Sequence, residues 1–217
     1  VASISIPVVA DADTGYGNAL NVRHTVRAYR RAGVAGIQLE DQEFPKRCGH
    51  LEGKQVVSAT EMVAKIKAAK DEAGDDLLIV ARTDSRAVLG LQEALERGHA
   101  YWNAGADILF IEAPRDLNEL RVIAREFPEI PLLANIVEGG KTPYLSAQVL
   151  GEIGFALAIY PVTALLAATG AMQSVLAQLT GVGHVNLEKL PTFSDLHEVS
   201  GLSNYLDDAL EAATEES

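Results

Sequence analysis

Short apolar runs punctuate this chain at nearly regular intervals. They cover residues 6–10, 36–39, 77–81, 108–111, 132–134 and 155–160, and each is almost continuously apolar and rich in Ile, Val and Leu. Strands buried on both faces read this way, whereas half-exposed strands alternate apolar with polar. Between the runs the period lengthens. Ser58 and Glu61 have capping-box spacing ahead of Met62, Val63 and Ile66, and Asp116 and Glu119 repeat it ahead of Leu120, Ile123 and Ala124. Leu91, Ala94, Leu95 and Trp102 mark a further helical stripe, with Tyr101 and Trp102 read as packing residues. Ser146 is spaced to cap a helix carrying Val149, Leu150 and Ile153. Gly33, Gly74, Gly105 and Gly154 each stand between a helix and the next strand, where a left-handed exit favours glycine. The alternation predicts a repeated β-α unit, hence a parallel sheet covered by helices.

Six strands are two short of a closed (β/α)8 TIM barrel. The chain beyond Gly181 reads as helix and loop, with helical parts at residues 194–198 and 203–213, and does not supply them. Either the sheet is open or the chain is a fragment that lacks the first two β-α units; the residues at the strand ends favour the fragment. The expected organisation is a barrel core over residues 1–181 and a C-terminal helical tail over residues 182–217, its last acidic residues frayed.

Composition narrows the function. A length of 217 residues suits one α/β domain, and a formal net charge of −12 argues against nucleic acid or an anionic membrane as partner. A small anionic substrate remains compatible, because Lys46, Arg47, His50 and Arg82 form a local basic set. The single cysteine forbids an internal disulfide and fits a reducing, cytoplasmic compartment. No apolar run is read as approaching the ~20 residues that span a bilayer, and the N-terminus lacks a signal-peptide pattern.

The chemistry gathers where the runs end. Asp11 and Asp13 follow the first run, Glu40 and Asp41 the second, Arg82 and Asp84 the third, Glu112 the fourth, Asn135 and Glu138 the fifth, and Tyr160-Pro161 closes the sixth. In parallel sheets and barrels the C-terminal strand edge is where ligands bind. Asp11, Asp13 and Glu40 are hard oxygen donors suited to Mg2+ or Mn2+ rather than zinc. Residues 13–18 equally read as a turn ending in a helix cap, and both readings can hold. The segment Pro45-Lys46-Arg47-Cys48-Gly49-His50 sets a thiol among cations, where its pKa is expected to fall and its use as acid or nucleophile to rise. His24, His99, His184 and His197 stand alone and are read as surface or core helpers.

That segment, with Asp11-Ala-Asp13-Thr-Gly-Tyr-Gly, Leu39-Glu40-Asp41-Gln, Ala81-Arg82-Thr-Asp84 and Glu138-Gly-Gly-Lys141-Thr142-Pro143, resembles the isocitrate lyase/phosphoenolpyruvate mutase superfamily, in its 2-methylisocitrate lyase, dimethylmalate lyase and petal death protein branch. The resemblance implies a TIM barrel, Mg2+, a mobile cysteine loop, and a homotetramer that exchanges a C-terminal helix. It implies cleavage of a carbon–carbon bond in a 2-hydroxy di- or tricarboxylate. Cys48, Lys46, His50 and Arg82 would be catalytic, Arg47, Gly49, Glu112, Asn135 and Thr142 would bind substrate, and Asp11, Asp13 and Glu40 would serve the metal. Oxaloacetate hydrolysis, P–C bond chemistry of the carboxyvinyl-carboxyphosphonate phosphorylmutase type, and an inactive subunit that serves assembly alone are the alternatives.

Overall fold

The computed structural model describes residues 1–49, 51–202 and 205–206. They form two compact units, Val1–Thr163 and Ala164–Ser217. In the first unit, strands and helices alternate as β1 (Val9–Asp11), α1 (Ala19–Arg31), β2 (Gly36–Glu40), α2 (Ala59–Ala73), β3 (Leu78–Thr83), α3 (Ser85–Val88), α4 (Leu91–Asn103), β4 (Ile108–Ile111), α5 (Leu117–Glu126), β5 (Leu133–Asn135), α6 (Ala147–Ile153) and β6 (Leu157–Ile159). Every strand pairing is parallel. β1 to β4 are neighbours in chain order, β5 pairs with β6, and a bridge between Leu109 and Leu132 joins the two sets. All six strands fall on or overlap the six apolar runs. The architecture is that of a β/α barrel, with six strands among the described residues.

The period of two decides what each strand presents to each side. Ile37 and Leu39 of β2, Ile79 and Ala81 of β3, and Leu109 and Ile111 of β4 point outward and join the helices in the main core. Val80, Ile108, Phe110 and Leu133 point to the inner face, where Ile159 packs against them. Gln38, Glu40 and Arg82 share that inner phase, and the register sets Glu40 beside Arg82 and Arg82 beside Phe110. Inner positions are thus apolar at the strand starts and polar at their C-terminal ends.

The helices begin and end as their residues dictate, with one correction. Ser58 and Asp116 each cap a helix by accepting from the N–H three residues on, at 3.1 and 2.9 Å. Neither capping box closes, because Glu61 turns to Lys65 and Glu119 pairs with Arg86. Closed boxes occur instead at Asn18/Asn21 of α1 and Thr192/Asp195 of α8 (Phe193–Ser200). Gly74 and Gly105 leave their helices at φ of 60° and 105°, the left-handed region expected of them.

The second unit holds most of α7 (Thr163–Val182), a short 3-10 turn (Leu187–Lys189) and α8. The helix expected at 194–198 is α8; that at 203–213 lies outside the described residues except for Tyr205 and Leu206. α7 runs 20 residues with a mean hydropathy of 1.3 and no acidic or basic side chain. By length and composition it could cross a membrane, which corrects the expectation that no run approaches this. An apolar helix over residues 162–179 is legible in the sequence, but its Thr, Ser, Gln and Gly residues break the run into short pieces, so that it does not read as one continuous apolar span. Core helices of soluble proteins pass the same test.

Candidate active site at the strand ends

Asp11 closes β1, Glu40 closes β2, Arg82 stands one residue from the end of β3, Glu112 follows β4 and Asn135 closes β5. Around them lies a cavity of about 640 Å3, whose lining includes Asp11, Lys46, Cys48, Gly49, Arg82 and Asn135. Glu40 and Glu112 are fully buried behind it.

The carboxylates converge on one positive point. Lys46 Nζ lies 2.5 Å from Asp13 Oδ1, 3.5 Å from Asp11 Oδ2 and 3.6 Å from Glu40 Oε2. The turn that carries the two aspartates is tight: the Asp13 N–H donates to Asp11 Oδ1 at 2.9 Å, and Asp13 itself has φ of 50°. Burial opposes the charge on Lys46, but the hydrogen bond to Asp13 and the fields of Glu40 and Asp11 outweigh it and hold the lysine above its usual value. Glu40 is the unusual member. Neither of its oxygens accepts a hydrogen bond, and burial, helped by Asp84 and Asp11 and opposed by Arg82 and Lys46, pushes its carboxyl up to about 7. A buried carboxylate without donors, beside two more carboxylates and an ammonium, fits a hard divalent cation. Among the described residues no three Asp, Glu, His or Cys side chains are arranged to hold a metal as they stand.

Arg82 is held from several sides. Its Nε and Nη2 donate to Asp84 at 2.9 and 3.2 Å, Nη1 lies 3.4 Å from Glu40, Nη2 lies 3.8 Å from Glu112, and the guanidinium sits 5.0 Å from the Phe110 ring centre. Burial works against the charge on Asp84, yet Arg82 and Lys54 hold its carboxyl below the usual range. Asn135 Nδ2 donates to both oxygens of Glu112 at 3.3 Å.

The cysteine segment is seated on this same rim. Gln42 pins its base by donating to the Arg47 carbonyl at 2.8 Å and accepting the Arg47 N–H at 2.9 Å. Gly49 lies so close to the strand ends that a Cβ there would stand 2.5 Å from Glu112 Oε1 and 2.6 Å from Arg82 Nη2. Cys48, next to it, is exposed to the cavity side and forms no disulfide.

Asp11, Asp13, Glu40, Lys46, Cys48, Gly49, Arg82, Glu112 and Asn135 are therefore together. Arg47 and Thr142 are not with them: the Arg47 guanidinium donates to the Glu52 carbonyl at 3.3 Å on the outer side of the loop, and Thr142 is buried in the segment after β5. His50 lies outside the described residues. Three supporting residues carry roles that the sequence did not assign: Asp41 and Asp84, expected only as strand-end acids, and Lys54. Asp41 faces away from the cavity and accepts from Thr83 Oγ1 at 2.7 Å, Tyr101 Oη at 2.7 Å, Arg97 Nη1 at 3.0 Å and the Asp84 N–H at 2.9 Å. Tyr101 thus does more than pack. Asp84 and Lys54 are the others, and only the odd phase of Asp41 and Thr83 relative to Glu40 and Arg82 hinted at a second polar layer.

Residues 1–180 match the phosphoenolpyruvate phosphomutase family. The chain is 48% identical over 207 residues to a 2,3-dimethylmalate lyase of Eubacterium barkeri, covering 93% of this chain and 71% of that protein. It is 47% identical over 204 residues to a 2-methylisocitrate lyase of Aeropyrum pernix, covering 93% and 66%. Among solved structures, oxaloacetate acetylhydrolase in complex with 3,3-difluorooxalacetate superposes with a TM-score of 0.90 at 36% identity, over 97% of this chain and 72% of that one. Phosphonopyruvate hydrolase in complex with oxalate and Mg++ does so at 0.80 and 33%, over 97% and 74%. The chain spans about two thirds of the length of the curated relatives it matches. With motif, fold and rim geometry agreeing, the chain belongs to the phosphoenolpyruvate phosphomutase family of the PEP mutase/isocitrate lyase superfamily, a family of enzymes.

Proposed function

We propose that this chain carries the reacting core of a magnesium-dependent carbon–carbon lyase acting on a 2-hydroxy di- or tricarboxylate of the 2-methylisocitrate or alkylmalate type. The observation that supports it most is the seat of the loop: Cys48 and Gly49 share one cavity with Asp11, Lys46 and Arg82. A proton donor and a cation-seeking cluster facing each other suit cleavage of an acid into two acids.

Asp11, Asp13 and Glu40 would hold the ion, Asp13 directly and the others through water. When bound, it supplies Lewis-acid stabilisation of the oxygen that becomes the keto group. Arg82, fixed by Asp84, grips the carboxylate of the forming α-keto acid. As the C2–C3 bond breaks, its electron pair passes to C3, and the C2 hydroxyl gives its proton to water as its oxygen becomes the carbonyl; solvent later returns a proton to the Cys48 thiolate. Cys48 gives its Sγ–H proton to C3 as general acid, so the fragments leave as an α-keto acid and a carboxylate with no net redox change. Lys46 and His50 balance the substrate carboxylates, Glu112 and Asn135 close the far side, and Gly49 completes the substrate contacts.

The test is release of pyruvate or glyoxylate with Mg2+ from 2-methylisocitrate, isocitrate, 2,3-dimethylmalate and phosphonopyruvate, with release of oxalate from oxaloacetate followed in parallel. Cys48→Ser should lower kcat by roughly 10²–10⁴ and leave binding of the keto acid nearly unchanged. Equal loss of binding and turnover would count against the acid role. Oxaloacetate hydrolysis is the second reading, favoured by the likeness to oxaloacetate acetylhydrolase. Turnover of oxaloacetate alone would decide for it. The assembly we expect is a cytoplasmic homotetramer, in which a neighbouring subunit covers the exposed Leu165, Leu166, Met172 and Leu176 of α7. A monomeric sedimentation profile would exclude it.

A further inference from the structure

Lys54 takes no part in the chemistry just described, yet it is buried to within 2% of its side-chain surface. It stands where the cysteine loop returns. That return is fixed by the antiparallel bridge between Gln42 and Val56 and by the Glu43 N–H donating to the Gln55 carbonyl at 2.9 Å. From this anchor the side chain runs inward to two acceptors. Nζ donates to Asp84 Oδ1 at 2.8 Å and to the main-chain carbonyl of Gly49. Asp84 is the carboxylate that orients Arg82, and Gly49 is the residue next to Cys48.

Burying an ammonium is costly, and an apolar side chain of the same length would fill the space more cheaply. What an ammonium adds is three donors at one point, able to serve a carboxylate and a carbonyl together. We infer that Lys54 is a positioning residue that sets the thiol-bearing segment in register with Arg82. The ion pair with Asp84 belongs to the rigid strand end, and the bond to Gly49 is the one the loop makes on closing. One ammonium therefore ties the distance between proton donor and carboxylate grip to a fixed post. This rests on the roles proposed above for Cys48 and Arg82, but its first test does not need turnover.

Trypsin cleavage after Arg47, inside the loop, reports lifting of the segment; cleavage after Arg125, exposed on α5, reports opening elsewhere. In Lys54→Met the ratio of the two rates, read by mass spectrometry, should rise at least about tenfold, with Lys54→Arg within about threefold of wild type. If Lys54→Met fails to fold, Lys54→Gln gives the same comparison with one donor group left. An unchanged ratio in a folded variant, or rates that rise equally at both sites, would overturn the inference and leave Lys54 a purely structural ion pair. In the lyase assay, Lys54→Met should lower kcat at least about tenfold with KM moved less than about threefold. Loss of KM and kcat in step would likewise overturn it. Absence of turnover in wild type would sink the proposed reaction and leave the cleavage ratio to decide on Lys54.

Discussion

Glu40→Gln in metal-free protein should raise stability at high pH and not at low pH. The Glu40 side chain is fully buried and neither oxygen has a hydrogen-bond donor. Its carboxyl moves from 4.5 to about 7, chiefly through burial. For an acid raised on folding, the native state holds more protons than the unfolded state between those two values. Stability therefore falls as pH climbs through that window, and the deficit is complete above it. At about 1.36 kcal/mol per pH unit the deficit comes to roughly 3 kcal/mol. An amide of the same shape removes the buried charge, so Glu40→Gln should gain up to roughly 3 kcal/mol at about pH 8 in EDTA and nothing at about pH 4.5. Urea melts at the two pH values, with unchanged m, measure it. Adding Mg2+ should reverse the ranking, stabilising wild type more than the variant. A gain of equal size at both pH values, or a variant less stable than wild type at the higher one, would refute the account of Glu40 as an unsatisfied charge waiting for a cation.

Gly49→Ala should leave the melting temperature near that of wild type and cut kcat by about 100-fold, because its Cβ would meet Glu112 and Arg82 and hold the thiol off by about an ångström; steady-state kinetics beside a thermal melt read both. Arg97→Met should destabilise by about 3–5 kcal/mol in urea melts, since it strips a buried counter-charge from Asp41. Its cost should persist with Mg2+ present, which separates it from the Glu40 variant.

The strands, most helices and the rim were legible because period and burial leave their mark directly on residue type. Near-continuous Ile, Val and Leu announced the two-sided strands, and the polar residue ending each one announced the site. What stayed hidden depends on partners distant in the chain. Glu40 and Asp41 are adjacent acids, yet the strand turns them to opposite sides, one toward Lys46 and Arg82 with no hydrogen bond and one clasped by Thr83, Arg97 and Tyr101. Arg47 and Lys46 are adjacent cations, and the loop turns only Lys46 inward. Lys54 resembles any surface lysine until Asp84 and the Gly49 carbonyl are brought to it. The cap that ends residues 13–18 was legible at Asn18, but its closure by Asn21 was not, because asparagine is not the Glu or Gln that marks a capping box.

Parallel register lays the ionic residues of neighbouring strands side by side, so that Glu40, Arg82 and the Phe110 ring form a lateral row across the sheet. Such a row behaves as one unit. Replacing any member alters the field and the footing of the next, so paired substitutions along it should depart from additivity, while pairs one strand position up or down should add. Substrate preference can then drift most freely through the connecting segments that crown the row, where change does not propagate sideways.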